Sequence, residues 1–332
     1  MKILVTGGMG YIGSNTVVEL LKNNYEVVII DNLVNSNIEV LEKIRNITKK
    51  EVKFYEEDLR NKEKLTEIFQ REKIDSVIHF AGLKAVGESV AKPLLYYDNN
   101  LISTLVLLEV MKEENVKNIV FSSSATVYGD PKYLPIDENH PLSTTNPYGT
   151  TKLFIEQILE DVYKADNDMN IVILRYFNPV GSDKMHLLGE NPNGIPNNLV
   201  PYIVKVATKK LESLNVFGNN YDTVDGSGVR DYIHVIDLAI GHVKAIKYMK
   251  NNKGILKVNL GTGKGNSVLE LIEKFEKVNK VKIPYKIVER RKGDIAICYA
   301  DTKKAKELLD FTTTYNIEDM LQDAYLAELN NK

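Results

Sequence analysis

The chain has 332 residues, with 43 Lys and Arg against 45 Asp and Glu for a formal net charge of −2, and 43% of its residues are hydrophobic. That balance belongs to a folded chain long enough for two domains, each with its own core. It excludes a general electrostatic attraction to nucleic acid or to an anionic membrane, so any anionic ligand has to be held by local groups. One cysteine, Cys298, excludes an internal disulfide framework and every multi-cysteine zinc site, and no metal is expected. No apolar run approaches the ~18–20 residues that span a bilayer. Met1-Lys2 leads straight into Ile3-Leu4-Val5, with no room for a secretory leader, and the expected address is cytoplasmic.

In chain order, residues 3–5 read as a first strand, ending at Thr6 and a glycine-rich turn, with a helix predicted over 14–23. Further apolar runs at 26–30, 52–55, 76–80, 118–121 and 171–174 are separated by helical stretches. Continuous apolar strands alternating with helices predict an α/β fold, a doubly wound parallel Rossmann-type sheet covered on both faces. In such a sheet ligands bind at the carboxyl ends of the strands. Residues 176–200 carry Pro179, Pro192 and Pro196 with several Gly and Asn, which interrupts regular structure. Two domains are expected: 1–175 for a dinucleotide, and a smaller mixed α/β substrate domain over 176–332. A helix over 236–249 is expected to pack back on the first.

Thr6-Gly7-Gly8-Met9-Gly10-Tyr11-Ile12-Gly13 sits between the first strand and the first helix, with Gly7, Gly10 and Gly13 spaced G-x-x-G-x-x-G. Glycines there allow a tight turn, close approach of a pyrophosphate and close helix–sheet packing, and the helix N-terminus favours the phosphates. Alone the motif also suits a plain strand–helix turn. Asp31, ending the next strand, strengthens it: a carboxylate there accepts from both ribose hydroxyls of NAD and repels the extra phosphate of NADP.

Pro147-Tyr148-Gly149-Thr150-Thr151-Lys152 opens a predicted helix in which Tyr148 and Lys152 share a face. A free phenol, with a pKa of about 10, is a poor base at neutral pH, and a nearby ammonium draws it toward the working range. The same pair is common on solvated helices. Phe121-Ser122-Ser123-Ser124-Ala125-Thr126-Val127-Tyr128-Gly129 follows a buried strand, so its hydroxyls emerge at the ligand edge, although a run of serines also serves as an ordinary turn. Glycine loop, serine edge and Tyr–Lys pair in this order make a joint signal for a dehydrogenase-type site.

These segments resemble the extended short-chain dehydrogenases/reductases, and within them the UDP-glucose 4-epimerase family. The likeness includes TGGMGYIGS at 6–14, HFAGLKAVGESV at 79–90, FSSSATVYGD at 121–130 and PYGTTK at 147–152. It continues through LRYFNPVGS at 174–182, GVRDYIHVIDLA at 228–239 and RRKGDI at 290–295, nearly the whole chain. The resemblance implies inversion at carbon 4 of a UDP-hexose by transient oxidation with tightly bound NAD. It makes Ser124 and Tyr148 the proton-handling pair and gives Lys152 the ribose and the tuning of the tyrosine. It places NAD against Tyr11, Ile12, Asp31, Asn32, Asn35, Ser36, Asp58, Leu59, Phe80, Ala81, Lys84, Asn99 and Phe177. It assigns the nucleotide sugar to Asn178, Asn198, Leu199, Phe217, Arg230, Arg291 and Asp294. The chemistry of the residues agrees: Arg230 and Arg291 supply guanidinium forks for a diphosphate, and Phe217 offers a stacking face for a base.

The resemblance also implies a homodimer; apolar positions in 101–111 and 154–163 suit a two-helix face joining the partner, and equally suit burial within one subunit. It puts Cys298 at the pocket wall by carbon 2 of the sugar, where some hexose-restricted relatives carry tyrosine, and so implies acceptance of UDP-N-acetylglucosamine and UDP-N-acetylgalactosamine. The alternative role for Cys298 is a buried small hydrophobe. The stretch 183–190 departs from the family pattern. Related dehydratases carry Asp-Glu where this chain has Ser124-Ala125. Alternatives of other kinds are a UDP-glucuronate epimerase or decarboxylase, and a non-catalytic NAD-binding regulator.

Overall fold

The structure, a computed structural model, describes residues 1–192, 194–291 and 294–331, so Lys292 and Gly293 of the RRKGDI motif lie outside the described residues. In chain order its strands are β1 (Lys2–Thr6), β2 (Glu26–Asp31), β3 (Lys53–Glu56), β4 (Ser76–His79), β5 (Asn118–Ser122) and β6 (Asn170–Tyr176). They continue with β7 (Asn178–Val180), β8 (Leu214–Phe217), β9 (Val229–His234), β10 (Gly254–Leu260), β11 (Gly265–Ser267), β12 (Tyr285–Val288) and β13 (Ile297–Cys298). The chain forms two compact units. The first comprises Met1–Gly129, Leu142–Arg175 and Ala239–Val258; the second comprises Asp130–Pro141, Tyr176–Leu238 and the chain from Asn259 on.

Among the described residues, seven strands form one sheet in the order β10-β6-β5-β4-β1-β2-β3. The pairs β1–β2, β2–β3, β1–β4, β4–β5 and β5–β6 are all parallel. The chain winds outward from β1 to β3, returns to β4 on the other side of β1, and winds outward again. That reversal opens a crevice beyond the carboxyl ends of β1 and β4. The strands are apolar on both faces because helices cover both: Ile3, Leu4 and Val5 are wholly buried. Leu4, Val77, Ile119 and Ile171 pack in one cluster with Leu65, Phe69, Leu107, Met111, Ile155 and Leu159 from the helices. Each such side chain contributes about 1.5–3 kcal/mol by leaving water. The apolar runs predict six strands, and β10 is the seventh. Lys257 and Asn259 interrupt its sequence, so it carries no buried-strand signal.

In the second unit β11-β9-β13 form a sheet, with β7 pairing in parallel with β9, and β12 pairs with β8. Val180, Ile203, Val216, Tyr232, Phe275 and Met320 belong to its core. In the departing stretch 183–190, the Asp183 carboxylate accepts from the N–H groups of Met185, Leu187 and Leu188 and buries Leu188. Among the described residues no helix is long and apolar enough to cross a membrane.

The first helix, Tyr11–Lys22, runs close against the glycine turn. A Cβ built on Gly13 would lie 2.3 Å from the carbonyl oxygen of Gly7 and 2.9 Å from the Cα of Gly8. Backbone cannot yield as a side-chain tip does. Gly13→Ala is therefore expected to cost about 1–3 kcal/mol, the usual range for overpacking, read as a lowered urea midpoint with unchanged slope. An unchanged midpoint would show that the helix shifts freely.

Candidate active site

Each of the strands β1 to β5 delivers candidates at its carboxyl end. After β1, Gly7 has φ +67°, and a Cβ there would lie 2.7 Å from the Ala81 nitrogen beyond β4. Both the left-handed backbone and the close approach require glycine. Gly10, which offers no capping side chain, precedes the first helical turn with Tyr11 and Ile12. Asp31 ends β2 and ties the turn to the next loop: it accepts from Met9 N–H (3.0 Å), Leu33 N–H (3.0 Å) and Ser36 Oγ (2.8 Å). A carboxylate has about four acceptor sites, which leaves capacity for a further donor. Asn32 and Asn35 are exposed, and Asn32 donates to Asp58 beyond β3. The Arg60 guanidinium holds the Asp58 carboxyl down to about 2. Leu59 beside it is buried. Phe80 and Ala81 follow β4, Lys84 is exposed in the next loop, and Asn99 donates to Asn100.

Beyond β5 the serine edge meets the helix Pro147–Ala165. Asn146 caps that helix by accepting from Gly149 N–H at 2.9 Å, and Pro147 occupies its first position. The start is thereby fixed, and with it the phase of Tyr148 and Lys152. Gly149 lets the helix approach the edge, since a Cβ there would lie 3.1 Å from the Thr126 carbonyl oxygen. The Ser124 Oγ accepts from Thr126 twice, from its N–H at 3.2 Å and its hydroxyl at 3.0 Å. With both lone pairs engaged, its own hydrogen is left to donate elsewhere. Tyr148 and Lys152 are both buried. Lys152 Nζ donates to the Ser122 carbonyl at 2.7 Å and lies 4.7 Å from the Phe121 ring centre and 6.0 Å from that of Tyr148. Burial lowers its ammonium to about 8, against the opposing field of Glu156.

The second unit carries the remaining candidates, Arg230 and Arg291 among them. The Arg291 guanidinium lies 3.9 Å from the Phe217 ring centre, a stacked cation–π contact. Arg230 donates to the Val229 carbonyl at 2.9 Å and pairs with Asp294 at 3.3 Å. Cys298 on β13 stands in register with Arg230 on β9. Its thiol is pushed up to about 11 by burial, so it is a neutral thiol rather than a nucleophile. Asn198 precedes the helix Leu199–Ala207 without capping it and donates its side-chain amide to Glu190 at 3.1 Å, while Asn178 is exposed. Phe177, buried, belongs to this unit rather than to the one carrying the other cofactor candidates.

Several supporting residues are absent from the sequence reading. Asn100 is buried; it accepts from Leu83 N–H (2.8 Å) and donates to the Leu83 carbonyl (3.1 Å) and to Thr151 Oγ (3.0 Å). It therefore joins the Lys84 loop to the Tyr148 helix. His79 bridges Thr6 (2.7 Å) and Thr104 (3.0 Å). Thr104 gives its own hydrogen to the Asn100 carbonyl, so His79 Nε2 donates to Thr104 and Nδ1 accepts from Thr6. Burial, with the Lys152 cation, pushes the imidazole down to about 3 and keeps it in that neutral form. The doubled Asn99-Asn100 is the only local signal for Asn100, and nothing local marks the partners of His79.

A family model described as GDP-mannose 4,6 dehydratase matches residues 4–324. The UDP-glucose 4-epimerase of Bacillus subtilis is 55% identical over 331 residues, covering 100% of this chain and 98% of that protein. The UDP-glucose 4-epimerase of Homo sapiens is 52% identical over 337 residues, covering 99% and 97%. The Bifidobacterium longum UDP-glucose 4-epimerase, solved with NAD+ and UDP, superposes with a TM-score of 0.97 at 55% identity, covering 100% of this chain and 99% of that one. The corresponding enzyme of Stenotrophomonas maltophila, solved with NAD and formylated UDP-arabinopyranose, gives 0.98 at 44%, again covering 100% and 99%. The chain belongs to the UDP-glucose 4-epimerase family of the extended short-chain dehydrogenases/reductases.

Proposed function

We propose that this chain is an NAD-dependent UDP-glucose/UDP-galactose 4-epimerase, cytoplasmic and homodimeric. The observation that carries the reading is the buried Ser124–Tyr148–Lys152 group set on the same sheet edge as a glycine turn in which Gly7 and Gly13 leave no room for a side chain. The cradle fits a dinucleotide: Gly7, Gly10 and Gly13 admit a pyrophosphate, and Asp31 has capacity for a ribose hydroxyl. When bound, NAD supplies a reversible hydride acceptor. Carbon 4 of a hexose bears no acidic hydrogen, so inversion there requires such an oxidation and its reversal.

Tyr148 as phenolate takes the hydroxyl proton and later returns it, and Ser124 donates a hydrogen bond to the same oxygen. Lys152 keeps a cation near the phenol, which favours the phenolate. Arg230 and Arg291 hold the diphosphate and Phe217 stacks on the base, while the sugar is held loosely enough for its 4-keto form to turn and present the other face. A dehydratase requires an acid and a base to expel water, whereas the edge here offers Ser123, Ser124, Ala125 and Thr126.

Purified protein given UDP-galactose without added NAD is expected to form UDP-glucose, and to release NAD on denaturation. Tyr148→Phe is expected to cut turnover by about 10²–10⁴-fold, the usual cost of losing a general base, with NAD retained. Absence of product from the unaltered protein, or a Tyr148→Phe variant keeping over about a tenth of the rate, overturns the assignment.

The same reading extends to 2-acetamido sugars. Cys298 in register with Arg230 supports its place beside the nucleotide sugar, and a thiol in place of a phenol leaves volume for an acetamido group. Wild type is expected to turn over UDP-N-acetylgalactosamine as well as UDP-galactose, and Cys298→Tyr to lose the former while sparing the latter. Rejection of the acetamido sugar by wild type refutes the gate.

The homodimer reading is supported by exposed apolar residues on neighbouring helices of the first unit. Val90, Leu94, Leu95, Ile102, Leu105 and Phe154 are 41–80% exposed. Sedimentation is expected to give twice the chain mass, and Leu105→Glu with Phe154→Arg to give the monomer. A wild-type monomer at micromolar concentration counts against it.

A further inference from the structure

The helix that carries Tyr148 and Lys152 continues the same row one turn further to Glu156, which the proposed chemistry does not use. Glu156 and Arg175 are each 1% exposed. Arg175 Nε donates to both carboxylate oxygens at 3.1 Å, and its Nη2 to Oε2 at 2.6 Å. Ser123 Oγ donates to Oε1 at 2.5 Å. Arg175 Nη1 donates in turn to the Tyr128 hydroxyl at 3.1 Å. One carboxylate thus fastens the helix to the end of β6, to the serine edge beyond β5, and to the end of the following turn.

We propose that Glu156 is a positioning residue of the reaction: through Ser123 it sets the edge that presents Ser124 and the Ser122 carbonyl, and with Arg175 it forms a charge-balanced pair beneath Lys152. The inference rests on the epimerase reading above. Stability alone does not explain the pair. A buried ion pair is commonly matched or exceeded by apolar side chains of similar volume, and Ile155 and Leu159 on the same helix show that hydrocarbon packs there. The pair instead lies where its geometry and its charge both reach the reacting groups. Ser123 stands between Ser122, whose carbonyl receives the Lys152 ammonium, and Ser124. The titratable and charged groups facing this cluster include Tyr148 and Lys152 on the helix itself, His79 from β4, Tyr128 from the turn and Arg175 from β6. His79 is neutral and Tyr128 is bonded to Arg175. The balance between Glu156 and Arg175 therefore decides what fixed charge the Tyr148–Lys152 pair experiences.

Glu156→Gln keeps the shape and leaves the Arg175 cation uncompensated, which eases proton loss from Tyr148 and Lys152 together. Both limbs of the pH–rate profile are expected to move to lower pH by about 0.5–1 unit. The double variant Glu156→Gln with Arg175→Met removes both charges and is expected to return the profile to its wild-type position. Ser123→Ala leaves the charges in place and is expected to lower kcat by about tenfold, since misplacing a reacting group costs up to about 10² in rate, with KM and the limbs unmoved. Tyr148 ionisation, read as the tyrosinate absorption lost in Tyr148→Phe, is expected to follow the same displacements without turnover. A wild type inactive as an epimerase counts against the proposed function, and the absorption titration still decides the role of Glu156. A profile and titration that stay in place in Glu156→Gln while thermal stability falls overturn the inference, as does an unchanged kcat in Ser123→Ala. Should Glu156→Gln fail to fold, Ser123→Ala and the double variant decide the matter by the same readings.

Discussion

Burying an ammonium is the costly step around which the first unit is arranged. Lys152 leaves water almost completely, and an unpaired charge in such surroundings either neutralises or is compensated. Its compensation is distributed. The Ser122 carbonyl accepts one hydrogen bond, the Phe121 ring presents its negative face, and Glu156 acts one helical turn away. None of these is a direct carboxylate partner. A salt bridge would hold the lysine firmly charged but would cancel its field at Tyr148, whereas a carbonyl and a ring face solvate the ammonium and leave that field in place. An ammonium drawn down to about 8 stays mostly charged at neutral pH while facing a phenol. That combination favours a phenolate without a strong base.

The parallel sheet turns this local arrangement into a site. Because β1, β2, β3, β4 and β5 all run the same way, their carboxyl ends lie along one edge, and each contributes one short loop. The loops are tied to one another rather than only to their own strands. Asp31 beyond β2 accepts from Met9 in the turn beyond β1. His79 at the end of β4 accepts from Thr6. Thr104 and Asn100 carry the chain of hydrogen bonds on to Thr151, whose hydroxyl donates to the Tyr148 carbonyl. An edge of independent loops would not hold a phenol and a serine in register with a bound dinucleotide; these buried bonds, each satisfied, fix the loops together.

What the sequence makes legible follows from what is local. Apolar runs mark the six strands from β1 to β6, the glycine spacing marks the cradle, and the interval from Tyr148 to Lys152 marks a shared helical face. The seventh strand is not legible, because Lys257 and Asn259 alternate with its apolar residues. Asn100, His79, Glu156 and Arg175 each act on residues from another element, and no spacing along the chain encodes those partnerships. Glu156 is a case in point. Its place four residues after Lys152 looks like an ordinary solvated helix position until Arg175, 19 residues on, is seen bonded to it at the end of β6. The stretch 183–190, unmatched by any motif, is organised in part by Asp183, which accepts from three backbone N–H groups.

A chain with a net charge of −2 has no general field to draw in a diphosphate, so its cations have to be kept individually available. On the proposed function, the second unit does this with weak partners. Arg291 rests on the Phe217 ring, and Arg230 is shared between a carbonyl and an Asp294 carboxylate that is 35% exposed. A half-exposed pair of this kind contributes little to stability, so exchanging Asp294 for a phosphate oxygen gives up little. The buried pair of Arg175 and Glu156 is the opposite case, bidentate, fully enclosed and unavailable to any ligand. The same residue type thus stands in two settings in one chain, and burial rather than identity separates the arginine that holds the scaffold from those proposed to meet an anion.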